Sequence, residues 1–237
     1  MPPQFRFNWS SPLVLSPKNP ETIYFAGNYL FKSIDRGNSW RIISPDLTKN
    51  DSLRRNPSNS GYLTNSVTGG ENHFTIVTVT ESPVDESVVW VGTDDGHVQV
   101  TQNGGTTWTN VKVNMPNLPD EIWVSRVEAS HFEAGTCYVT LDNHRYDDNQ
   151  PYVFKTTDFG KTWTNISNNL PDKYSVYVIR EDYENPNLLF VGTEAAVYMS
   201  IDGGQEWQVL KNNMPTVAIH DLVIHPREGD LVAGTHG

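Results

Sequence analysis

The chain has little of several features that mark particular classes of protein. Its single cysteine, Cys137, excludes an internal disulfide framework and a multi-cysteine metal site. Only 17 Lys and Arg stand against 28 Asp and Glu, and the formal net charge of -11 repels phosphate backbones, so no nucleic-acid partner is predicted. No run approaches the roughly 18 to 20 apolar residues of a membrane-spanning helix, so no membrane insertion is expected.

The beginning of the chain, MPPQFRFNWSSP, also lacks the apolar stretch of a signal peptide, so no export signal is expected within these residues. The composition, 37% hydrophobic and 19% charged, is that of an ordinary globular protein. Cys137 stands in the alternating apolar segment TCYVTL, which favours a buried structural thiol over a nucleophile.

One eight-residue pattern recurs four times, and each copy fits Ser/Thr-x-Asp/Asn-x-Gly-x-x-Trp. The copies are SIDRGNSW at 33–40, TQNGGTTW at 101–108, TTDFGKTW at 156–163 and SIDGGQEW at 200–207. Short alternating apolar runs precede and follow each copy, separated by Gly, Pro and Asp turns. This arrangement predicts units of four short antiparallel strands, with the pattern on the hairpin that joins the third strand to the fourth.

The chemistry of the pattern explains its spacing without catalysis. The Asp or Asn oxygen can accept hydrogen bonds from backbone N–H groups, the Gly supplies a positive φ, and the Trp packs over the hairpin and between neighbouring sheets. A residue present in every unit serves a need of every unit, which favours a structural role over a reaction centre. The residues assigned to this role are Asp35, Gly37, Trp40, Asn103, Gly105, Trp108, Asp158, Gly160, Trp163, Asp202, Gly204 and Trp207.

With these four copies the sequence resembles the Asp-box (BNR) repeat β-propeller family, in particular the sortilin-like propellers of large secreted bacterial proteins. The resemblance runs from FNWSSPLVLSPKNPETIYFAGN to MPTVAIHDLVIHPREGDLVAGTHG. It implies an all-β propeller of four-stranded antiparallel blades and an extracellular or periplasmic location. Sialidases, xyloglucanases, photosystem assembly factors and sorting receptors share the motif, so the resemblance is specific for the fold and weak for activity.

We expect a single propeller segment over 1–237, with four blades and a partial fifth. The predicted units are 8–45, 73–113, 122–168, 174–210 and 217–237, with loop insertions at 46–72 and 141–151. The ending VAGTHG resembles a second blade strand of the family, which favours a fragment of a larger propeller over a closed ring. Such a fragment leaves a sheet edge open to edge-strand self-association.

The first strand of each blade lines the axis of a propeller, so this strand directs the choice of candidate site residues. The predicted inner strands place seven polar side chains near the centre or its mouth: Arg126, Glu128, Arg180, Glu181, Asp182, His220 and Asp221. The residues predicted to bind a ligand are Arg126, Arg180, Asp182, His144 and His220. An arginine beside a glutamate also fits a structural ion pair between blades, and the sequence favours that alternative.

Three functions stay open, and the least favoured is a purely structural assembly domain that acts through open sheet edges. The favoured one is a binding module that recognises a protein, peptide or polysaccharide through the blade-top loops and the channel mouth. The alternative is a glycoside hydrolase with paired carboxylates, for which Glu128 and Asp221 are the candidates. No sialidase or xyloglucanase motif matches residue by residue, which favours the non-catalytic role. No cofactor or metal site is predicted, although the oxygen-rich turns TDDGH at 93–97 and DNHRYDD at 142–148 leave structural calcium open.

Overall fold

The computed structural model describes residues 4–51, 72–211 and 213–236. These residues form eighteen short β-strands and two 3-10 turns, Lys112–Asn114 and His144–Tyr146. Within the same ranges no helix is long and apolar enough to cross a bilayer. The strands are β1 (Leu13–Leu15), β2 (Ile23–Ala26), β3 (Leu30–Ser33), β4 (Arg41–Ile42), β5 (Ile76–Glu81), β6 (Val89–Thr93), β7 (Val98–Thr101), β8 (Thr109–Asn110), β9 (Trp123–Ala129), β10 (Cys137–Asn143), β11 (Asp148–Thr156), β12 (Thr164–Asn165), β13 (Val176–Glu181), β14 (Leu189–Thr193), β15 (Val197–Ser200), β16 (Gln208–Val209), β17 (Ala218–Ile224) and β18 (Leu231–His236).

The strands form five antiparallel sheets in chain order. β1–β4, β5–β8, β9–β12 and β13–β16 each make a four-stranded sheet, and β17 pairs with β18 in a fifth sheet. We call these the first to the fifth sheet. The sequence prediction of an all-β fold with four-stranded antiparallel sheets is confirmed, and each recurring pattern lies between the third and fourth strands of its sheet.

Each sheet buries apolar side chains against the next one, because the side chains of a strand alternate between its two faces. Tyr24 and Leu30 of the first sheet pack with Val79 and Val91 of the second. Similar apolar clusters join the second sheet to the third, the third to the fourth and the fourth to the fifth. The strand β6 is buried along its whole length because both of its faces are covered.

The recurring patterns fold into corners with one shared hydrogen-bond arrangement, shown by residues 156–163. The backbone N–H of Gly160, at φ +78°, donates to Thr156 Oγ1 at 2.9 Å. Asp158 Oδ1 accepts hydrogen bonds from Thr156 Oγ1 at 2.8 Å and from the backbone N–H of Thr162 at 2.9 Å. These bonds hold the tight turn, and Trp163 stands at its end, directly before β12.

The second corner keeps this geometry with an amide in place of the carboxylate. Asn103 Oδ1 accepts from the backbone N–H of Thr107 at 2.9 Å, as Asp158 does from Thr162. The side-chain bond is reversed, because Asn103 Nδ2 donates to Thr107 Oγ1 whereas Asp158 accepts from Thr162 Oγ1. The corner therefore needs an oxygen acceptor at this position rather than a negative charge.

The tryptophans of three corners bond to the sheet that precedes their own. Each indole N–H donates to the carbonyl of the residue that follows the outermost strand of that sheet. The pairs are Trp108 with Ile43 at 3.0 Å, Trp163 with Val111 at 3.2 Å and Trp207 with Ile166 at 2.7 Å. Trp40 of the first corner instead donates to Gly37 of its own turn and is 43% exposed. The corners therefore lie at separate sheet boundaries and do not converge on one pocket.

The two predicted insertions differ from each other. Residues 52–71 of the first lie outside the described residues, but its beginning is packed: Leu47 is buried between the first two sheets, and Asp46 lies 2.8 Å from Arg6 Nη2. The second, 141–151, is an extended hairpin, because β10 runs to Asn143 and β11 begins at Asp148. A 3-10 turn joins the two strands, and a bulge between Leu141 and Asn143 interrupts the ladder beside it.

Candidate functional site

The innermost strands of the sheets surround a central cleft of about 320 Å³ that receives side chains from all five sheets. Four of these strands, β5, β9, β13 and β17, carry a bulge near their start, where one residue has no partner on the neighbouring strand. The bulged residues are Val77, Ser125, Tyr177 and His220. A bulge re-aims the side chains that follow it, and Arg126 and Asp221 come directly after theirs.

Four side chains of the third, fourth and fifth sheets form one ion-paired group, which we call the charged quartet: Arg126, Glu128, Arg180 and Asp221. Arg180 binds Glu128 Oε2 at 2.8 Å and Asp221 Oδ1 at 2.9 Å, and its Nε donates to the Leu222 carbonyl at 2.6 Å. Arg126 Nη2 lies 2.8 Å from the same Asp221 oxygen. The quartet thus joins three sheets across the channel wall.

The two arginines of the quartet are not equivalent. Arg180 uses all three of its guanidinium nitrogens, whereas Arg126 makes one ion pair and its Nε has no hydrogen-bond partner within the described residues. Burial lowers the pKa of Arg126, and the neighbouring charge of Arg180 acts in the same direction. Its side chain lines the cleft and is 25% exposed. Arg126 is therefore the arginine with donor capacity left for a ligand.

A buried glutamate, Glu181, stands beside the quartet in the cleft wall. Its carboxylate accepts hydrogen bonds from Ser130 Oγ at 3.0 Å, the His131 backbone N–H at 2.6 Å and Tyr138 OH at 2.9 Å, all from the third sheet. Burial raises the pKa of Tyr138 well above its ordinary value, and the Glu181 charge adds to the effect. This network joins the third and fourth sheets.

The same network joins the first and second sheets, where Ser16 and Tyr24 donate to Glu81. A lysine lies over each tyrosine ring, Lys32 at 5.1 Å from Tyr24 and Lys155 at 5.2 Å from Tyr138. The second and third sheets are joined differently, since the ladder position of Glu81 is occupied by Ala129 and that of Tyr24 by Trp90. At these ladder positions the first three boundaries are therefore polar, apolar and polar in turn.

The predicted binding residues His144 and His220 lie apart from the quartet and meet at Tyr177. The His220 ring stacks on Tyr177 with 4.7 Å between centroids, and the His144 ring meets Tyr177 edge-on at 6.4 Å. Burial, helped by the charge of Asp142, raises the pKa of Tyr177 to about 12. Tyr177 precedes Arg180 by three residues, or about 10 Å along β13. The channel therefore has two chemically different ends.

The remaining predicted residues have local partners. Asp182 joins neither group, because its Oδ1 accepts from the backbone N–H groups of Glu184 and Asn185 at 2.9 Å and closes a turn. Cys137 is fully buried, and burial raises its pKa well above the ordinary value. Hydrogen bonds to nearby residues hold Asp94, Asp95, Asp142 and Asp148 of the two oxygen-rich turns. Across residues 4–51, 72–211 and 213–236, no three His, Cys, Asp or Glu side chains are grouped to hold a metal ion.

Sequence reasoning missed Tyr177, His131 and Tyr183, which extend these sites. His131 and Tyr183 line the quartet end of the cleft, with ring centroids 4.4 Å apart. Each lies two residues beyond the end of an inner strand, β9 or β13, and that position was the signal in the sequence.

The fold is that of known β-propellers. An ancestral GH74 enzyme superposes over 98% of this chain with a TM-score of 0.69 and 18% identity, and the GH74 xyloglucanase of Xanthomonas campestris over 94% with a TM-score of 0.66 and 19% identity. The extracellular domain of a one-component system protein of B. thetaiotaomicron superposes over 91% with a TM-score of 0.57 and 13% identity. The chain spans 28%, 35% and 25% of these three chains, and at such identities the likeness shows the fold alone. No family model and no curated protein matches the sequence.

Proposed function

We propose that this chain is a β-propeller binding module of the Asp-box, sortilin-like kind, which recognises a protein, peptide or polysaccharide ligand at the central cleft and acts outside the cytoplasm. Its predicted units make one propeller segment. The observation that carries the proposal is Arg126, a guanidinium in a cleft shared by five sheets with only one of its donors ion-paired. The Nε of Arg126 is buried, so the contact proposed for a ligand acceptor is with the part of the guanidinium that lines the cleft, in a side chain that is 25% exposed.

The surroundings of Arg126 fit a ligand with both polar and apolar parts. The cleft is lined by Arg126, Glu128 and Arg180 of the quartet and by Glu181, together with Val14, Val79 and Val223. This mixture of polar and apolar side chains suits a site that holds a ligand by both kinds of contact. The quartet itself is neutral, which favours a ligand that accepts hydrogen bonds over one that carries many charges.

The second candidate, glycoside hydrolysis, rests on the position of Glu128 and Asp221, which flank the single guanidinium of Arg180. Their closeness suits paired carboxylates. Both are already occupied by arginines, however, whereas a glycosidase acid and nucleophile must face the scissile bond. Binding without turnover is therefore the function that this geometry supports better.

Thermal-shift titration with oligogalacturonates, neutral β-glucan oligosaccharides and short peptides tests the proposal, with Arg126→Met as the site variant and exposed Arg227→Met as its matched control. A ligand should raise the Tm of the wild type and of Arg227→Met but not of Arg126→Met. Equal stabilisation of all three proteins would show that Arg126 does not contact the ligand. Release of reducing sugar by the wild type that is lost in Glu128→Gln or Asp221→Asn would show that the protein is a glycoside hydrolase and not only a binding module.

A further inference from the structure

A second concave surface lies outside the channel, between the connection that leads to β9 and the extended hairpin β10–β11. It has a volume of about 520 Å³, and we call it the hairpin cleft. The residues that line it are Lys49, Pro119, Asp120, Glu121, Asn143 and Tyr146. A smaller cavity of about 190 Å³ adjoins it and shares Glu121 and Tyr146. None of these residues belongs to the charged quartet.

Asn143 supplies an unsatisfied acceptor to the hairpin cleft. It is 95% buried, since its exposed fraction is 5%, and its Nδ2 donates to Asp148 Oδ2 at 2.9 Å. Its Oδ1 has no hydrogen-bond partner within the described residues. A bulge between Leu141 and Asn143 turns this end of β10 and sets the direction of the amide. A buried carbonyl oxygen without a donor costs about 1 to 3 kcal/mol, so this wall of the cleft favours a ligand that donates hydrogen bonds.

The charges around the hairpin cleft favour a cation. The two adjoining cavities carry four carboxylates and two cations. These are Asp94, Asp120, Glu121 and Asp142 against Lys49 and Arg145, and a third cation, Lys112, donates to the backbone carbonyls of Pro119 and Asp120 at the rim. The chain as a whole has a formal net charge of -11, so the field around the cleft attracts positive ligands and not anions.

The chain itself shows how this surface holds a guanidinium. Arg145 lies with its guanidinium carbon 4.3 Å from the ring centroid of Trp123, and its Nη1 is 3.2 Å from Asp142 Oδ2. A cation between an aromatic face and a carboxylate is a favourable arrangement. Tyr146, the next residue on the same 3-10 turn, offers a ring that is 62% exposed, and the exposed Asp120 lines the cleft with it.

We propose that the hairpin cleft binds an arginine or lysine side chain of a basic peptide segment. The cationic head donates to Asn143 Oδ1 and is attracted by Asp120, while the ring of Tyr146 covers the side-chain stem. This site is separate from Arg126 and goes beyond the binding proposed for the central cleft. An experiment can therefore exclude one of the two sites without excluding the other.

Fluorescence anisotropy with a labelled Gly-Arg-Gly-Arg-Gly peptide tests this proposal, with the citrulline peptide of the same length as the neutral control. We expect saturable binding of the arginine peptide that weakens with added salt, and binding of the citrulline peptide at least tenfold weaker. The substitutions Tyr146→Ala and Asp120→Asn should each raise the Kd about fivefold, a change of about 1 kcal/mol. Both residues are exposed, and the Tm of each variant shows whether the fold is intact.

Two further variants, both at the central cleft, show whether the peptide binds at the hairpin cleft. Tyr183→Ala removes a comparably exposed tyrosine at the central cleft, and Arg126→Met removes the proposed central ligand contact; both should leave the Kd unchanged. Equal affinity for the citrulline peptide, or an unchanged Kd in Tyr146→Ala, would overturn the proposal. Displacement of the peptide by a neutral β-glucan oligosaccharide would assign the cleft to sugars instead and would overturn it as well.

Discussion

The indole nitrogen of Trp163 lies 3.2 Å from the carbonyl oxygen of Val111 and donates a hydrogen bond to it across the boundary between the second and third sheets. The glycine of the same corner, Gly160, packs directly on the Val111 side chain. The corner and the preceding sheet therefore form one packed interface. The first corner shows the contrast, because the indole of Trp40 donates within its own turn and remains exposed.

Alanine at the corner glycines should separate backbone strain from packing between sheets. Gly37 and Gly160 both have positive φ, so Ala at either position costs about 1 kcal/mol. A Cβ on Gly160 would lie 2.6 Å from Val111 Cβ, whereas a Cβ on Gly37 meets nothing closer than 3.6 Å. We expect Gly160→Ala to lower the free energy of unfolding by about 1 to 3 kcal/mol more than Gly37→Ala, measured by urea unfolding. Equal losses would show that the Val111 contact does not constrain this corner.

The two arginines of the charged quartet should differ in what they contribute to stability. Arg180→Met removes two ion pairs and two hydrogen bonds to backbone carbonyls and leaves Glu128, which is 14% exposed, without its guanidinium. We expect a loss of about 2 kcal/mol in the free energy of unfolding. Arg126→Met removes one ion pair and should cost less than half of that. A larger loss for Arg126→Met than for Arg180→Met in urea unfolding would show that Arg126 mainly holds the sheets together. It would also argue against the proposed contact of Arg126 with a ligand.

The buried tyrosines predict sensitivity to alkali. Burial raises the pKa of Tyr24 and Tyr138 well above the ordinary value, so the folded protein holds these protons more tightly than the unfolded chain. The stability they contribute is therefore complete below about pH 10, the unfolded pKa, and is lost as the pH rises above it. Tyr138→Phe should be less stable than the wild type at pH 7, because Glu181 loses a donor, but its urea midpoint should fall less between about pH 9 and 11. Parallel pH curves for the two proteins would contradict this.

The carboxylate of the third corner predicts sensitivity to acid. Hydrogen bonds from the backbone and the hydroxyl of Thr162 lower the pKa of Asp158. A lowered pKa gives stability that is present above the ordinary pKa and lost as the pH falls through the folded value. Asp158→Asn should keep most of its stability at pH 7, because Asn103 serves the same place in the second corner, and should lose less between about pH 4 and 2. Asp158→Ala, which removes the acceptor, should be less stable at both ends of this range.

Local patterns made the sheets and corners predictable from sequence. The acceptor at Asp35 or Asn103, the Gly two residues later and the Trp at the end act within eight residues, so their spacing is visible in the chain. The hairpin over 141–151 was not recognisable as strand, since Asp148, Asn149 and Gln150 lie in β11 beyond the apolar core and show no alternation of polarity.

The contacts within the site were harder to predict, because they join side chains that are far apart in the sequence. Inner-strand assignment brought Arg126, Glu128, Arg180 and Asp221 to the centre, but their pairing depends on the bulges at Ser125 and His220, which shift the register by one residue. The alternation of Glu81 and Glu181 with the apolar boundary between them becomes visible only when equivalent ladder positions of different sheets are compared.

Hydrogen exchange of the tryptophan indole N–H groups, measured by NMR, tests most directly the claim that the recurring corners bind neighbouring sheets together. The account predicts slow exchange for Trp108, Trp163 and Trp207, which donate to the preceding sheet, and fast exchange for Trp40, which is exposed in its own turn. Exchange of Trp163 as fast as that of Trp40 would contradict it.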